Sequence, residues 1–264
     1  MTSLHDWLDI LEPLAQKTPG IADRVLINAK QAHSWAFRRK ISSAKPLHEI
    51  TSKDLDISKG EGSRVLDPKE ISILYACIHG SRMVPKYKIF IELLLHFGCR
   101  SGELLNAKVE HFDLINKIWT VPPENHKAGS VTGRSLKRPI IPQAEKLIEA
   151  VIAMNSGSTF VFTKEGKKEV VRRSSLSPLP YNIMQYAWRR LDYRFPHWSL
   201  HDLRRTARTN FSDFVESHVA EIMLGHKLPG VWQVYDKSDY LDEQRKAYST
   251  WWTRVESFVN SATQ

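Results

Sequence analysis

Residues 86 to 97, KYKIFIELLLHF, put apolar side chains on most sides of a helix. A helix of that kind cannot lie on a surface, so the rest of the chain must close around it. Gly98 is placed to end it, because glycine accepts the left-handed backbone that often follows a helix C-terminus. Cys99-Arg100-Ser101-Gly102-Glu103 then falls at a sharp turn between two helices. An arginine leaving the end of a buried helix is costly unless an anion or an acid satisfies it. Two readings therefore stand for Arg100: a structural pair with a carboxylate such as Glu103 or Asp113, or a ligand that is itself an anion.

The helix that precedes it starts at Asp67-Pro68-Lys69-Glu70, where Asp67 caps, Pro68 takes the first helical position and Glu70 closes the capping box. Ile71, Leu74, Tyr75 and Ile78 supply its inward face. Strand patterns follow at 111–114, 117–121 and 138–141, with a long polar, glycine-bearing hairpin tip between the last two that carries His126, Lys127, Arg134 and Lys137. Helices at 143–154 and 181–194 bracket a short TFVF strand and a basic, serine-rich connection from Lys164 to Ser177. A last helix spans 242–259, with Ala247, Trp251, Trp252, Val255 and Phe258 available for packing against its own core or a neighbouring subunit. At the N-terminus, residues 3–14 and 21–39 form two amphipathic helices, the second with Val25, Leu26, Ala29, Ala32, Trp35 and Ala36 inward. They read either as the remnant of a helical domain or as a plain helical subdomain. The polar stretch 55–65 is the linker candidate.

Trp198 to Tyr235 gathers the groups with chemical potential. Ser199 and Asp202 form a second capping box, which puts His201 in the first turn of a helix and Arg204 and Arg205 one turn further on. The start of a helix also offers free backbone donors to an anion. Gly225-His226 follows the apolar run EIML, and Tyr235 comes nine residues after His226. Histidine, arginine, histidine and tyrosine suit attack by a phenolic oxygen on a phosphodiester whose charge is held by cations. Taken alone, a basic helix is more often a solvated face.

The formal charge of +9 over 264 residues favours a polyanionic partner, nucleic acid before membrane. The only two cysteines, Cys77 and Cys99, sit in or beside apolar helical runs without ligand spacing and read as reduced core residues of a cytoplasmic protein. Neither an export signal nor an eighteen-residue apolar span is present. Phosphate-cradling and dinucleotide glycine loops are absent, so nucleotide hydrolysis and hydride transfer have no support. His197, His201 and His226 could be imagined around zinc, but no cysteine or carboxylate completes a ligand set, and no metal or other cofactor is expected.

Together, GCRSGEL at 98–104, Lys127, HDLRR at 201–205, LGHK at 224–227 and Tyr235 resemble the phage-type integrases, or tyrosine recombinases, most of all those of prophages and genomic islands. The resemblance covers residues 66–264 as a catalytic domain and, more weakly, 1–54 as a partial core-binding domain, with 55–65 between them. It implies a mainly α fold with a small three-stranded antiparallel β-sheet (α+β), the integrase-type DNA breaking-rejoining domain. It implies that Arg100 and Arg204 hold the scissile phosphate, that Lys127 protonates the departing 5′ oxygen, with Lys137 as a rival, that His201 and His226 move or orient protons, and that Tyr235 is the nucleophile, with Tyr240 as its rival. The step is a transesterification through a 3′-phosphotyrosyl link and needs no cofactor. The implied partners are double-stranded DNA at attachment sites, a tetramer on synapsed DNA built from a protein that is monomeric when free, and accessory DNA-bending or directionality proteins. The basic residues Arg134, Lys137, Arg138, Lys167, Lys168, Arg172, Arg173, Arg189, Arg190 and Arg205 are expected to meet DNA phosphates. The short N-terminal part departs from the family pattern and suggests a fragment or a shortened relative. A DNA-binding fragment without strand exchange and a type IB topoisomerase-like activity are the alternatives.

Overall fold

A computed structural model of the chain describes residues 3–58, 64–155, 157–226 and 238–261. The chain divides into two compact units, Met1–Gly62 and Ser63–Gln264.

The first unit is a helical pair followed by an irregular segment. Helix α1 spans Leu4–Lys17 under a capping box made by Ser3 and Asp6, and α2 spans Pro19–Arg38 with its proline at the first turn. Leu11, Ala15, Ala22, Leu26 and Ala29 are buried between them together with Leu47, Leu55 and Ile57 from the irregular segment. Lys30 pins that segment by donating to the carbonyl of Ile50 at 2.6 Å. Two sequence expectations change here. The stretch proposed as a linker from residue 55 begins inside this core, because Leu55 and Ile57 turn inward from an otherwise polar run. Ala32 and Trp35, expected inward, are exposed, Trp35 by 48% with the guanidinium of Arg39 over its ring.

In the second unit, α3 (Pro68–Gly80) starts on the expected box: Glu70 N donates to Asp67 Oδ1 at 2.8 Å and Asp67 N to Glu70 Oε2 at 2.9 Å. Helix α4 (Pro85–Phe97) is buried at every position from Ile89 onward, as a helix apolar on most sides must be. Around it pack α7 (Pro142–Ala153), α9 (Leu200–Phe211) and α11 (Leu241–Ser261), while α8 (Leu179–Leu191) lies on α3. Between them the chain also forms the short α5 (Ser101–Leu105), α6 (Gly129–Thr132) and α10 (Ser217–Leu224). Strands β1 (Phe112–Asp113), β2 (Ile118–Val121) and β3 (Leu136–Pro139) make one antiparallel sheet in the order β1-β2-β3, with Trp119 opposite both Phe112 and Arg138. The expected TFVF strand is reduced to a single bridge, Lys108 with Phe160. Helix α11 packs on its own core: Ala247, Tyr248, Trp251 and Val255 are buried and the indole of Trp251 donates to the carbonyl of Leu95 at 3.0 Å. Among the described residues no helix is long and apolar enough to cross a membrane.

Gly98 ends α4 at φ 58°, and an added Cβ there would lie 3.1 Å from Ala207 Cβ and 3.2 Å from both Phe211 and Leu224. Helices α9 and α10 therefore both close on this one backbone position, just before Arg100. Gly98→Ala is expected to lower the unfolding free energy by about 2 kcal/mol, from left-handed strain and crowding together. A urea titration checks it, and an unchanged midpoint would contradict the assignment.

Candidate active site

Helix α9 supplies the first half of the site. Its box forms as expected, with the Ser199 amide donating to Asp202 Oδ2 at 2.8 Å and the Ser199 hydroxyl donating to the same oxygen at 2.7 Å. His201 follows in the first turn, facing solvent. Partial desolvation in the cleft, then Arg205 and Arg204, lower its pKa. One turn on, Arg204 is 4% exposed. Its Nη1 donates to the carbonyls of Gly98 at 3.0 Å and Leu224 at 2.9 Å, the C-terminal ends of α4 and α10. Helix ends leave carbonyls without intrahelical partners and carry partial negative charge, so one guanidinium edge satisfies two of them. Its other edge, Nη2, lies 2.7 Å from Nε2 of His226. Burial, then the neighbouring charge of Arg100, brings its pKa down to about 10, and it keeps its proton.

Arg100 caps α5 from the turn after α4 and donates to Glu103 Oε1 at 2.9 Å, while its side chain stays 27% exposed. Both readings of this arginine thus hold in part: it has a structural carboxylate and still reaches the cleft. Asp113, the other acid considered, is occupied in its own turn by the amides of Ile115 and Asn116. The second oxygen of Glu103 accepts from Arg138 Nη2 at 2.7 Å. Burial pushes Glu103 upward, but Arg138 and Arg100 outweigh it and hold the carboxyl below the usual range.

Arg138 corrects the sequence reading. It was expected on DNA, but it is 0% exposed, stacks its guanidinium 4.9 Å over Trp119 and donates Nε to the carbonyl of Met223 at 3.1 Å. In β3 its position faces the core, so no phosphate can reach it. The remaining basic candidates differ in surroundings. Arg134, Lys137, Lys167, Lys168, Arg172, Arg173, Arg189 and Arg190 are exposed, whereas Arg205 is half-buried and paired with Asp202.

The connection between β2 and β3 is folded rather than an open tip. His126 is buried; its Nδ1 accepts from the Gly129 amide at 3.1 Å and its Nε2 donates to the carbonyl of Arg134 at 2.9 Å. That holds Lys127 at the cleft, where it lines the same cavity as Arg100, His201, Arg204 and His226, with a volume of about 530 Å³. Lys137, its rival, pairs with Asp239 at 3.1 Å.

Helix α10 supplies the other half. Gly225 ends it at φ 67°, and His226 N closes a helix-ending bond to the carbonyl of Glu221 at 3.0 Å. His226 Nδ1 then meets Glu221 Oε2 at 2.5 Å, and Arg208 reaches Glu221 Oε1 from α9 at 2.7 Å. Desolvation, with Arg204 and Arg100 nearby, lowers the His226 pKa against the opposing pull of Glu221. Glu221 and Arg208 carry no signal in the sequence motifs, whereas Glu103 is one of the two carboxylates the sequence offers to Arg100. Tyr235 lies outside the described residues, as do all of 227–237. Tyr240 is half-buried, with its ring 5.1 Å from that of His218.

The phage integrase family model matches residues 64–241. No curated protein sequence matches the chain. Among solved structures, the chain is similar to the Tn1549 transposon integrase (residues 82–397 of that protein) in complex with circular intermediate DNA, at 15% identity and TM-score 0.65, over 86% of this chain and 78% of that one. It is also similar to lambda integrase, as a dimer of residues 75–356 bound to a core site (15% identity, 86% and 80% coverage, TM-score 0.64) and as a tetramer bound to a Holliday junction (15%, 88% and 66%, TM-score 0.65). At this identity the likeness is one of fold: mostly helical, with a small three-stranded antiparallel sheet.

Proposed function

The chain belongs to the phage integrase family, the tyrosine site-specific recombinases, and from that premise we propose that it cleaves and rejoins duplex DNA through Tyr235 with Arg100, Lys127, His201, Arg204 and His226 as the groups that act on the phosphate. The phenolic oxygen of Tyr235 forms a bond to phosphorus, and the bond from phosphorus to the 5′ oxygen breaks. Lys127 gives that oxygen a proton, so the products are a 3′-phosphotyrosyl link and a 5′-hydroxyl. A 5′-hydroxyl from a second duplex reverses the step. One phosphodiester is stored as another, so no external energy source enters the balance.

A single observation carries this reading. Arg204 is fixed by two backbone carbonyls before any substrate arrives, and its other edge, against His226, faces a cleft shared with Arg100, Lys127 and His201. Preset cations of this kind stabilise charge that develops on a transferring phosphoryl group without reorganising during the reaction. The forked geometry of arginine suits the nonbridging oxygens. A phenol with a pKa of about 10 needs a neighbouring base near neutral pH, and His201, with its pKa lowered, is suited to accept that proton.

The partner is double-stranded DNA, at specific attachment sites, and the working assembly is a tetramer on two synapsed duplexes. The tetrameric lambda integrase on a Holliday junction supports this by likeness of fold. Residues 66–264 form the catalytic domain and the two-helix first unit a partial core-binding domain.

The test is a nicked suicide substrate. The wild-type chain is expected to trap a covalent adduct whose DNA-bearing peptide contains Tyr235. Tyr235→Phe should abolish the adduct and leave duplex binding within about twofold, while Tyr240→Phe, which alters a ring packed against His218, keeps it. A DNA-bearing peptide centred on Tyr240, or no adduct at all from a folded DNA-binding protein, would overturn the proposal.

A further inference from the structure

We propose that Glu221 is a positioning residue for the cleavage step, holding the His226 ring in its Nδ1-protonated form so that Nε2 faces Arg204 and the phosphate. The inference rests on the active-site reading above, in which His226 acts on the phosphate.

The geometry follows from how α10 ends. When a helix closes with a left-handed glycine, the residue after the glycine bonds back to a carbonyl five positions earlier, and the two side chains come together, most often as a hydrophobic contact. Here Gly225 is that glycine, His226 is the residue after it, and Glu221 is the earlier partner. The usual apolar contact is replaced by a carboxylate against an imidazole, Nδ1 to Oε2 at 2.5 Å. A carboxylate accepts only, so Nδ1 carries the proton and Nε2 presents its lone pair, which accepts from Arg204 Nη2 at 2.7 Å. Glu221 is itself held from α9, where Arg208 donates Nε at 2.9 Å and places Nη2 at 2.7 Å from Oε1. The chain of contacts is thus Arg208, Glu221, His226, Arg204, and it ends at the cleft.

The charged groups around His226 set the direction of its response. His201, Arg204, Arg205 and Arg208 line its cavity from α9, Lys127 from the connection between β2 and β3, and Arg100 from the turn after α4, while Glu221 meets it from its own helix. Every neighbour but Glu221 disfavours a charged ring. When a phosphate oxygen takes up the donors of Arg204, Nε2 is released from accepting, and Glu221 is the group that lets the ring take a proton there and donate to the phosphate. A carboxylate behind a histidine orients the ring and stabilises its cationic form in the same way in acyl-transfer enzymes.

The experiment compares the wild-type chain with Glu221→Gln, whose amide oxygen can still accept from Arg208. Long-range 15N spectra of histidine-labelled protein, with His226 assigned by its loss in His226→Asn, are expected to show the Nδ1-protonated form in the wild type and a mixture in the variant. On nicked DNA, single-turnover cleavage by Glu221→Gln should fall about tenfold with binding within about twofold, and the pH limb that belongs to His226 should move about one unit lower. The sign follows because removing the carboxylate removes the one neighbour that favours the charged ring. Glu221→Asp, which keeps the charge on a shorter arm, should recover most of that shift and serves if Glu221→Gln folds poorly. An Nε2-protonated ring in the wild type, or a lower rate with an unmoved pH profile in both variants, would overturn the proposal. Should the wild type form no adduct, the reading of the reaction fails, and the tautomer measurement still judges the role of Glu221 in holding the ring.

Discussion

Replacing Arg204 by alanine is expected to lower adduct formation by about 10²- to 10³-fold, the usual consequence of losing one preset donor at a site of developing charge. It should also lower stability, by about 3 kcal/mol, because the carbonyls of Gly98 and Leu224 lose charge-assisted hydrogen bonds in a buried place. The two losses have different readouts: single-turnover cleavage on nicked DNA for the first, urea unfolding for the second. Arg204→Lys separates them further. A lysine keeps the charge, but it lacks the second nitrogen of the fork that reaches His226 while the first holds both carbonyls, so part of the stability should return while cleavage stays low. Binding of intact duplex should change little in either variant, since most phosphate contacts come from other residues. Cleavage and duplex affinity falling in parallel would reduce Arg204 to an ordinary backbone anchor.

The largest stability effect is expected at Arg138. Its guanidinium is fully buried and neutralises Glu103, itself 1% exposed, at 2.7 Å. Arg138→Met should cost about 3–5 kcal/mol, because it leaves a buried carboxylate with Arg100 as its remaining partner. Adding Glu103→Gln to that variant should restore much of the loss, since an uncharged buried pair no longer carries an uncompensated charge. Activity is not expected to return with stability, because Arg100 then lacks the carboxylate that directs its side chain. A salt titration of DNA binding supplies the contrast: the slope of log K against log salt should be unchanged in Arg138→Met and shallower by about one in a variant that removes a true phosphate contact. A shallower slope for Arg138→Met would return this residue to the DNA surface.

That residue also shows where a sequence stops being legible. Helix starts at Asp67 and Ser199, the stop at Gly98 and the buried character of α4 could be read because each depends on neighbours within a few positions. The face a strand residue takes depends on register. Arg138 sits opposite Trp119 in β3, on the inward side, and counting charge could not reveal that. His126 hid in a stretch whose glycines and polar residues suggest an open tip, yet its two ring nitrogens fold that connection around Lys127. Glu221 was within reach in principle, since a glycine followed by histidine at a helix end implies a partner five positions earlier. What the local pattern could not show is that Arg208 would arrive from another helix to hold it.

The arrangement of charge at the cleft sets a limit on improving this protein. Arg100, Arg204, Arg208 and His226 gather at one cavity, while Glu103 and Glu221 stand behind them and each neutralises more than one cation. Folding alone favours fewer like charges there, and the proposed reaction draws on them. Selection for heat resistance without selection for recombination will therefore drift toward neutral side chains at this cavity, gaining robustness as it discards the reaction. Variants meant to keep both have to draw their stability from elsewhere in the molecule, and the exposed apolar residues of the first unit, Ile10, Ile21 and Ile41, offer a starting point that leaves the chemistry alone.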